Sequence, residues 1–160
     1  MKSKLMNVAL MCKWIWRLSQ GETRLWVDLL RAKYFSSGNF FEAMGRGSPF
    51  WNSIQAIKPI FAMGAKFSVK DGRSTRFWLD LWIGDQPLWS RFKDLYNIAL
   101  EPNLFVSQAM GVSPPGLLFR RELTGSKTTS LGHLLSLVGE VTLSQGLDIV
   151  SWHLNASGKF

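Results

Sequence analysis

Lys66-Phe67-Ser68-Val69-Lys70-Asp71-Gly72-Arg73-Ser74-Thr75-Arg76-Phe77-Trp78 sets the reading of this chain, because it joins the clearest turn signal to dense positive charge and aromatic bulk. Asp71-Gly72 between two short β-prone runs predicts a β-hairpin, since Gly accepts the positive φ that tight turns require. A two-residue loop would put Phe67 and Val69 on the same face as Ser74 and Arg76, mixing apolar with charged. A three-residue loop, Lys70-Asp71-Gly72 with a bulge at Gly72, pairs Val69 with Arg73 and Phe67 with Thr75. In that register Phe67, Val69, Thr75 and Phe77 share a packed face, and Lys66, Ser68, Ser74 and Arg76 share a polar one.

Outward from this centre, residues 1–64 read as mainly helical. Leu5, Val8, Ala9, Cys12, Ile15 and Trp16 recur at helical spacing over 4–18, with Leu10, Met11, Trp14 and Leu18 on the other side. A helix apolar nearly all round calls for burial on several sides. Ser19-x-x-Glu22 matches a capping box and opens a second helix to Lys33, with Leu25, Trp26, Leu29 and Leu30 facing inward. Ser48-Pro49 starts a third, whose Phe50, Ile54, Ile57 and Phe61 form a core stripe and whose Pro59 should kink or end it near Lys58. Phe35–Gly47 reads as a loop.

Residues 65–85 hold the hairpin and a Trp-rich run in which Trp78–Asp85 fits either a strand or a helical turn. Residues 86–118 are irregular, punctuated by Pro87, Pro102 and Pro114-Pro115, with a short helix at Val106–Met110. Residues 119–160 give a helix around Leu131, Leu134, Leu135 and Val138, a strand at Leu147–Leu154, and a turn at Asn155–Gly158 from which a returning strand would start. The expected fold class is therefore α+β, in a single region expected to be incomplete at both ends.

The 160 residues suit one domain of ordinary size. Eight Trp and eleven Phe must be buried or covered by a partner, so Trp14 and Trp152 are expected to be partly exposed and to favour self-association or a protein partner. A formal charge of +8 favours an anionic partner, RNA or DNA. The single Cys12 excludes a disulfide framework and a cysteine zinc site, and fits a buried thiol in an intracellular chain, nuclear or cytoplasmic. No apolar run approaches the ~20 residues of a membrane span.

No nucleophile elbow, phosphate loop or dinucleotide fingerprint occurs, and His133 and His153 lie in different elements. Asp80 and Asp85 frame Trp82 and suit turn and cap duty better than metal or acid–base work. No cofactor is implied. Lys66, Lys70, Arg73 and Arg76, interleaved with aromatics, suit phosphate contact and base stacking, and Arg120 and Arg121 extend the basic set.

With those residues read, the chain resembles the reverse-transcriptase polyprotein of plant LINE-type non-LTR retrotransposons, in the segment between the polymerase domain and the zinc-binding region. The resemblance lies in Asn7–Arg17, Leu25-Trp26, Arg31–Tyr34, Ser48–Trp51, Asp71–Trp78, Asp80–Asp85, Leu95–Ile98, Trp152–Leu154 and Ser157–Phe160, in the family's order. It implies a retrotransposon-derived fragment without the polymerase's paired aspartates or the clustered Cys and His of the zinc region. The expectation is a chain that is not an enzyme, with weak sequence-independent nucleic-acid binding. The alternatives are a small Trp-rich protein-interaction module or a gene relic without a ligand.

Overall fold

The structure, a computed structural model, describes residues 2–20, 22–35, 40, 43, 45–112 and 115–153. In chain order it contains α1 (Lys2–Ser19), α2 (Leu25–Tyr34), α3 (Pro49–Gly64), β1 (Ala65–Ser68), three short helices α4 (Leu88–Arg91), α5 (Lys93–Tyr96) and α6 (Val106–Met110), then α7 (Ser126–Val138) and β2 (Ile149–Trp152). β1 and β2 form a two-stranded antiparallel sheet, so the architecture is α+β as expected. The chain divides into two compact units, Met1–Ala65 with Val150–Phe160 and Lys66–Ile149.

In the first unit α1 packs on α3. Cys12, Ile15 and Leu18 of α1 and Trp51, Ile54 and Phe61 of α3 are buried; in α1 this shifts the expected stripe, since Leu18, placed on the other side, is buried while Ala9 and Leu10 are exposed. The Ser48 hydroxyl accepts the Trp51 N–H at 3.3 Å with Pro49 in the first turn, the start that the Ser-Pro pair predicts. Pro59, however, does not end the helix, which continues to Gly64. Its missing N–H costs one backbone bond, but Ile54 and Phe61, buried on either side, hold the segment helical. The capping box also fails. Ser19 belongs to α1 and its hydroxyl donates to the Trp16 carbonyl at 2.8 Å, while Glu22 pairs with Arg24 at 3.2 Å.

In α2 the inward stripe is corrected too. Val27 is buried, whereas Leu25 and Leu29 are 78% and 62% exposed and Trp26 and Leu30 are half-buried. Trp14 and Trp152 are half-buried, as expected. The expected positions Ser36–Asn39, Phe41, Glu42, Met44 and Pro114, and the turn at Asn155–Gly158 with its returning strand, lie outside the described residues.

The second unit is built around Phe67, Phe77, Trp78, Leu81, Leu88, Leu95, Val106, Leu134 and Val138, all buried, with α5 packed on α7. Here the hairpin is overturned. The strand Ala65–Ser68 pairs with Ile149–Trp152, not with residues 73–77. Gly72 does adopt φ +69°, the conformation a turn needs, but the chain after it does not return beside Phe67. Instead Phe67 N–H donates to Leu81 O at 2.7 Å, and Arg76 makes an isolated bridge to Phe105. Of the predicted faces, Phe67, Thr75 and Phe77 are buried and Ser68 is exposed, whereas Val69 is half-buried, as are Lys66, Ser74 and Arg76. Trp78–Asp85 resolves as turns: Asp80 N–H donates to Arg76 O at 3.3 Å, and the Trp82 indole donates to Phe77 O at 2.8 Å.

Candidate nucleic-acid interface

The basic loop between β1 and Arg76 is held from within by one carboxylate. Asp148 accepts the backbone N–H groups of Lys70 (2.7 Å), Gly72 (3.0 Å) and Ser74 (3.2 Å), together with the hydroxyls of Ser74 (3.1 Å) and Thr75 (2.7 Å). The inward N–H groups come from alternate residues, so the intervening Asp71 and Arg73 turn away from the carboxylate. Burial by itself would raise the Asp148 carboxyl, but the donors from Lys70, Thr75, Gly72 and Ser74 outweigh it and hold the carboxyl below the usual range. Thr75 is fully buried, so its hydroxyl has this carboxylate in place of water.

Further backbone bonds fix the same loop on both sides. Asp71 N–H donates to Gly146 O (3.2 Å) and Ser144 N–H to Lys70 O (2.8 Å); Ser107 N–H donates to Gly72 O (2.9 Å) and Val106 N–H to Thr75 O (2.9 Å). Gly72 is required twice over. Its φ is positive, and a Cβ would lie 2.7 Å from the Ser107 backbone nitrogen.

The six basic residues singled out in the sequence have different placements. Lys70 and Arg73 are exposed on the Asp148-anchored loop, and the nearest carboxylate contact of Arg73, to Asp71, is 4.0 Å long. Arg120 and Arg121 are exposed beside the Ala99–Phe119 bridge, with Arg120 N–H donating to Ile98 O at 2.9 Å. Lys66 is half-buried, its ammonium donating to Gly84 O at 3.1 Å. Arg76 is also half-buried: its guanidinium donates to Oδ1 of Asp80 at 2.6 Å and to Oδ2 at 3.3 Å, and its backbone N–H donates to Oδ2 at 2.7 Å. The expectation of Lys66 and Arg76 on an open polar face is therefore corrected, because buried Asp80 takes up the charge of Arg76. Asp80 serves the turn and its arginine, while Asp85 is exposed.

Asp148 is the residue the sequence does not single out. It lies more than 70 residues from its donors, and no local pattern marks it. The available signal was indirect: the run Leu147–Leu154 reads as a strand without a local partner, and so does Lys66–Val69 once the hairpin is set aside.

Elsewhere, burial pushes the Cys12 thiol up, consistent with an inert core cysteine. His133 is exposed, and His153 has its Nδ1 3.0 Å from Gly64 O. Among the described residues no helix is long and apolar enough to cross a membrane.

No family model and no solved structure matches the chain. It is similar to two proteins of Arabidopsis thaliana. One, provisionally named a ribonuclease H protein, is 33% identical over 91 residues, covering 54% of this chain and 15% of that protein. The other, an uncharacterized mitochondrial protein, is 34% identical over 82 residues, covering 50% of this chain and 53% of that protein. The chain thus spans about half the length of the second relative and a small part of the first. The first match corrects the expectation that the chain is not an enzyme, since over 54% of its length it is similar to a protein named for an enzyme.

Proposed function

We propose that the chain is a retroelement-derived segment that binds nucleic acid through its phosphates, without sequence preference. The observation that carries this reading is the loop at 70–75, whose backbone is fixed by Asp148 while Lys70 and Arg73 stay exposed. A cation held on a rigid backbone loses less freedom on binding than one on a mobile tail. Arg120 and Arg121 supply two more exposed charges, and the +8 balance adds long-range attraction. Phosphate contacts by Lys and Arg give affinity but no base readout, hence indifference to sequence.

The two plant relatives support the retroelement origin, and the name of the first points to RNA as a ligand class. The finer assignment, to the stretch after the polymerase domain of a LINE-type reverse transcriptase, is supported by the order of motifs from Asn7–Arg17 to Trp152–His153.

The test is equilibrium binding to several unrelated duplex and single-stranded sequences by the wild type and by Lys70→Ala/Arg73→Ala. The expected result is similar affinity across sequences and a uniform loss in the variant. Affinity that varies widely with sequence, or a folded double variant that binds as tightly as the wild type, overturns the reading.

A further inference from the structure

The exposed apolar face of α2 lines a cleft in the first unit. Trp26, Leu29 and Leu30 form one wall, facing Trp14 of α1 and Phe50 of α3, with Lys33, Tyr34 and Ser48 completing a cleft of about 320 Å³. Trp14 and Trp26 meet edge to face, with ring centroids 4.5 Å apart and planes at 84°, and Trp14 meets Phe50 the same way at 5.6 Å and 86°. A perpendicular contact covers at most one face of Trp26, so among the described residues the other face carries no ring. Tyr34, in contrast, has one face stacked on Trp51 at 4.2 Å.

The ammonium of Lys33 lies 5.4 Å from the Tyr34 ring centroid and the guanidinium of Arg17 lies 5.7 Å from that of Trp14, and among the described residues no acid lines the cleft. The nearby Asp28 is 3.8 Å from Arg31. The Tyr34 hydroxyl accepts the Ser48 N–H at 3.1 Å, and that bond, with a smaller contribution from Lys33, draws the phenol below its ordinary value.

We infer that this cleft takes one unpaired nucleobase, stacked within the aromatic lining, with the adjoining phosphate at Lys33. The volume is near the lower end of small-ligand sites, which suits a single planar group. A docked helix would need a longer groove for anchors spaced over two turns. Stacking on Trp needs only the π-face that every base has, while a lysine at the edge favours an anionic guest over a neutral one. A base inside a duplex reaches such a cleft only after unpairing, so the site selects single strands. The inference rests on the reading that the chain meets nucleic acid, and adds the form of strand and the place of contact.

Two variants test it without removing a buried contact. Trp26→Leu keeps apolar bulk at a half-buried position but removes the π-face, and Lys33→Gln neutralises an exposed charge. Tryptophan fluorescence is followed while adenosine monophosphate or ribose 5-phosphate is added; affinities for a homopolymeric single strand and a duplex are measured separately. The expected result is quenching by adenosine monophosphate alone, single-strand affinity about tenfold weaker in each variant, and duplex affinity unchanged. A folded Trp26→Leu protein that binds the single strand as the wild type does overturns the inference, as does ribose 5-phosphate acting as well as the nucleotide. Failure of duplex binding counts against the basic loop alone, because the mononucleotide titration reads the cleft by itself.

Discussion

Asp148 shows how one side chain converts a flexible-looking sequence into a fixed loop. Replacing it by Ala leaves the Gly72 N–H and the buried Thr75 hydroxyl without their acceptor, so Asp148→Ala should destabilise the protein by about 2–4 kcal/mol in a denaturant titration. The pH dependence has a definite sign. The folded carboxyl titrates below its unfolded value of about 3.9, so its contribution is complete above about pH 4 and is lost as pH falls through the lower, folded-state value. Thermal melts between neutral and acid pH should show that loss in the wild type and not in Asp148→Asn. Gly72 is the second critical residue: Gly72→Ala combines a positive φ with a clash against the Ser107 backbone and should cost about 1–3 kcal/mol. Arg76→Ala would strand buried Asp80 without its cation, and about 3 kcal/mol or more of stability should go with it. Lys70 and Arg73, on the outside of the same loop, should each change stability by less than about 0.5 kcal/mol.

At the level of elements, what the sequence made legible was local. The helices α1 and α3, the Ser48-Pro49 start and the short helix Val106–Met110 are properties of a few neighbouring residues, and each is found, although the buried face of α1 includes Leu18 and leaves Ala9 and Leu10 exposed. Signals that needed a partner misled. Asp71-Gly72 correctly marks a positive-φ glycine, but the strand before it takes its hydrogen bonds from Ile149–Trp152, a choice set by contacts far along the chain. The stripe of α2 was legible as apolar yet not as uncovered, since periodicity reports which residues share a face and not what lies opposite. Pro59 carries a local cost, yet the helix does not end there. Pro59→Ala should therefore stabilise α3 by about 1–2 kcal/mol, read as a rise in melting temperature, because it restores an N–H to the helix ladder. A fall in melting temperature would show that the proline ring itself is packed in place.

Over the whole molecule, the +8 charge and the aromatic load were readable from composition, but their distribution was not. Of the six cations singled out, Lys66 and Arg76 serve the fold through Gly84 and Asp80, and Lys70, Arg73, Arg120 and Arg121 stand exposed. Sequence patterns could not make this division, because it depends on which carboxylates and carbonyls the fold brings near each side chain. The proposed phosphate contacts therefore fall on the four exposed residues, and counterion release makes them countable. The decisive measurement is the slope of log K against log salt for binding to a duplex, in the wild type and in Lys70→Ala/Arg73→Ala/Arg120→Ala/Arg121→Ala. The account predicts a folded variant whose slope is shallower by about 3–4 units, close to one per lost contact. An unchanged slope in that variant would contradict it.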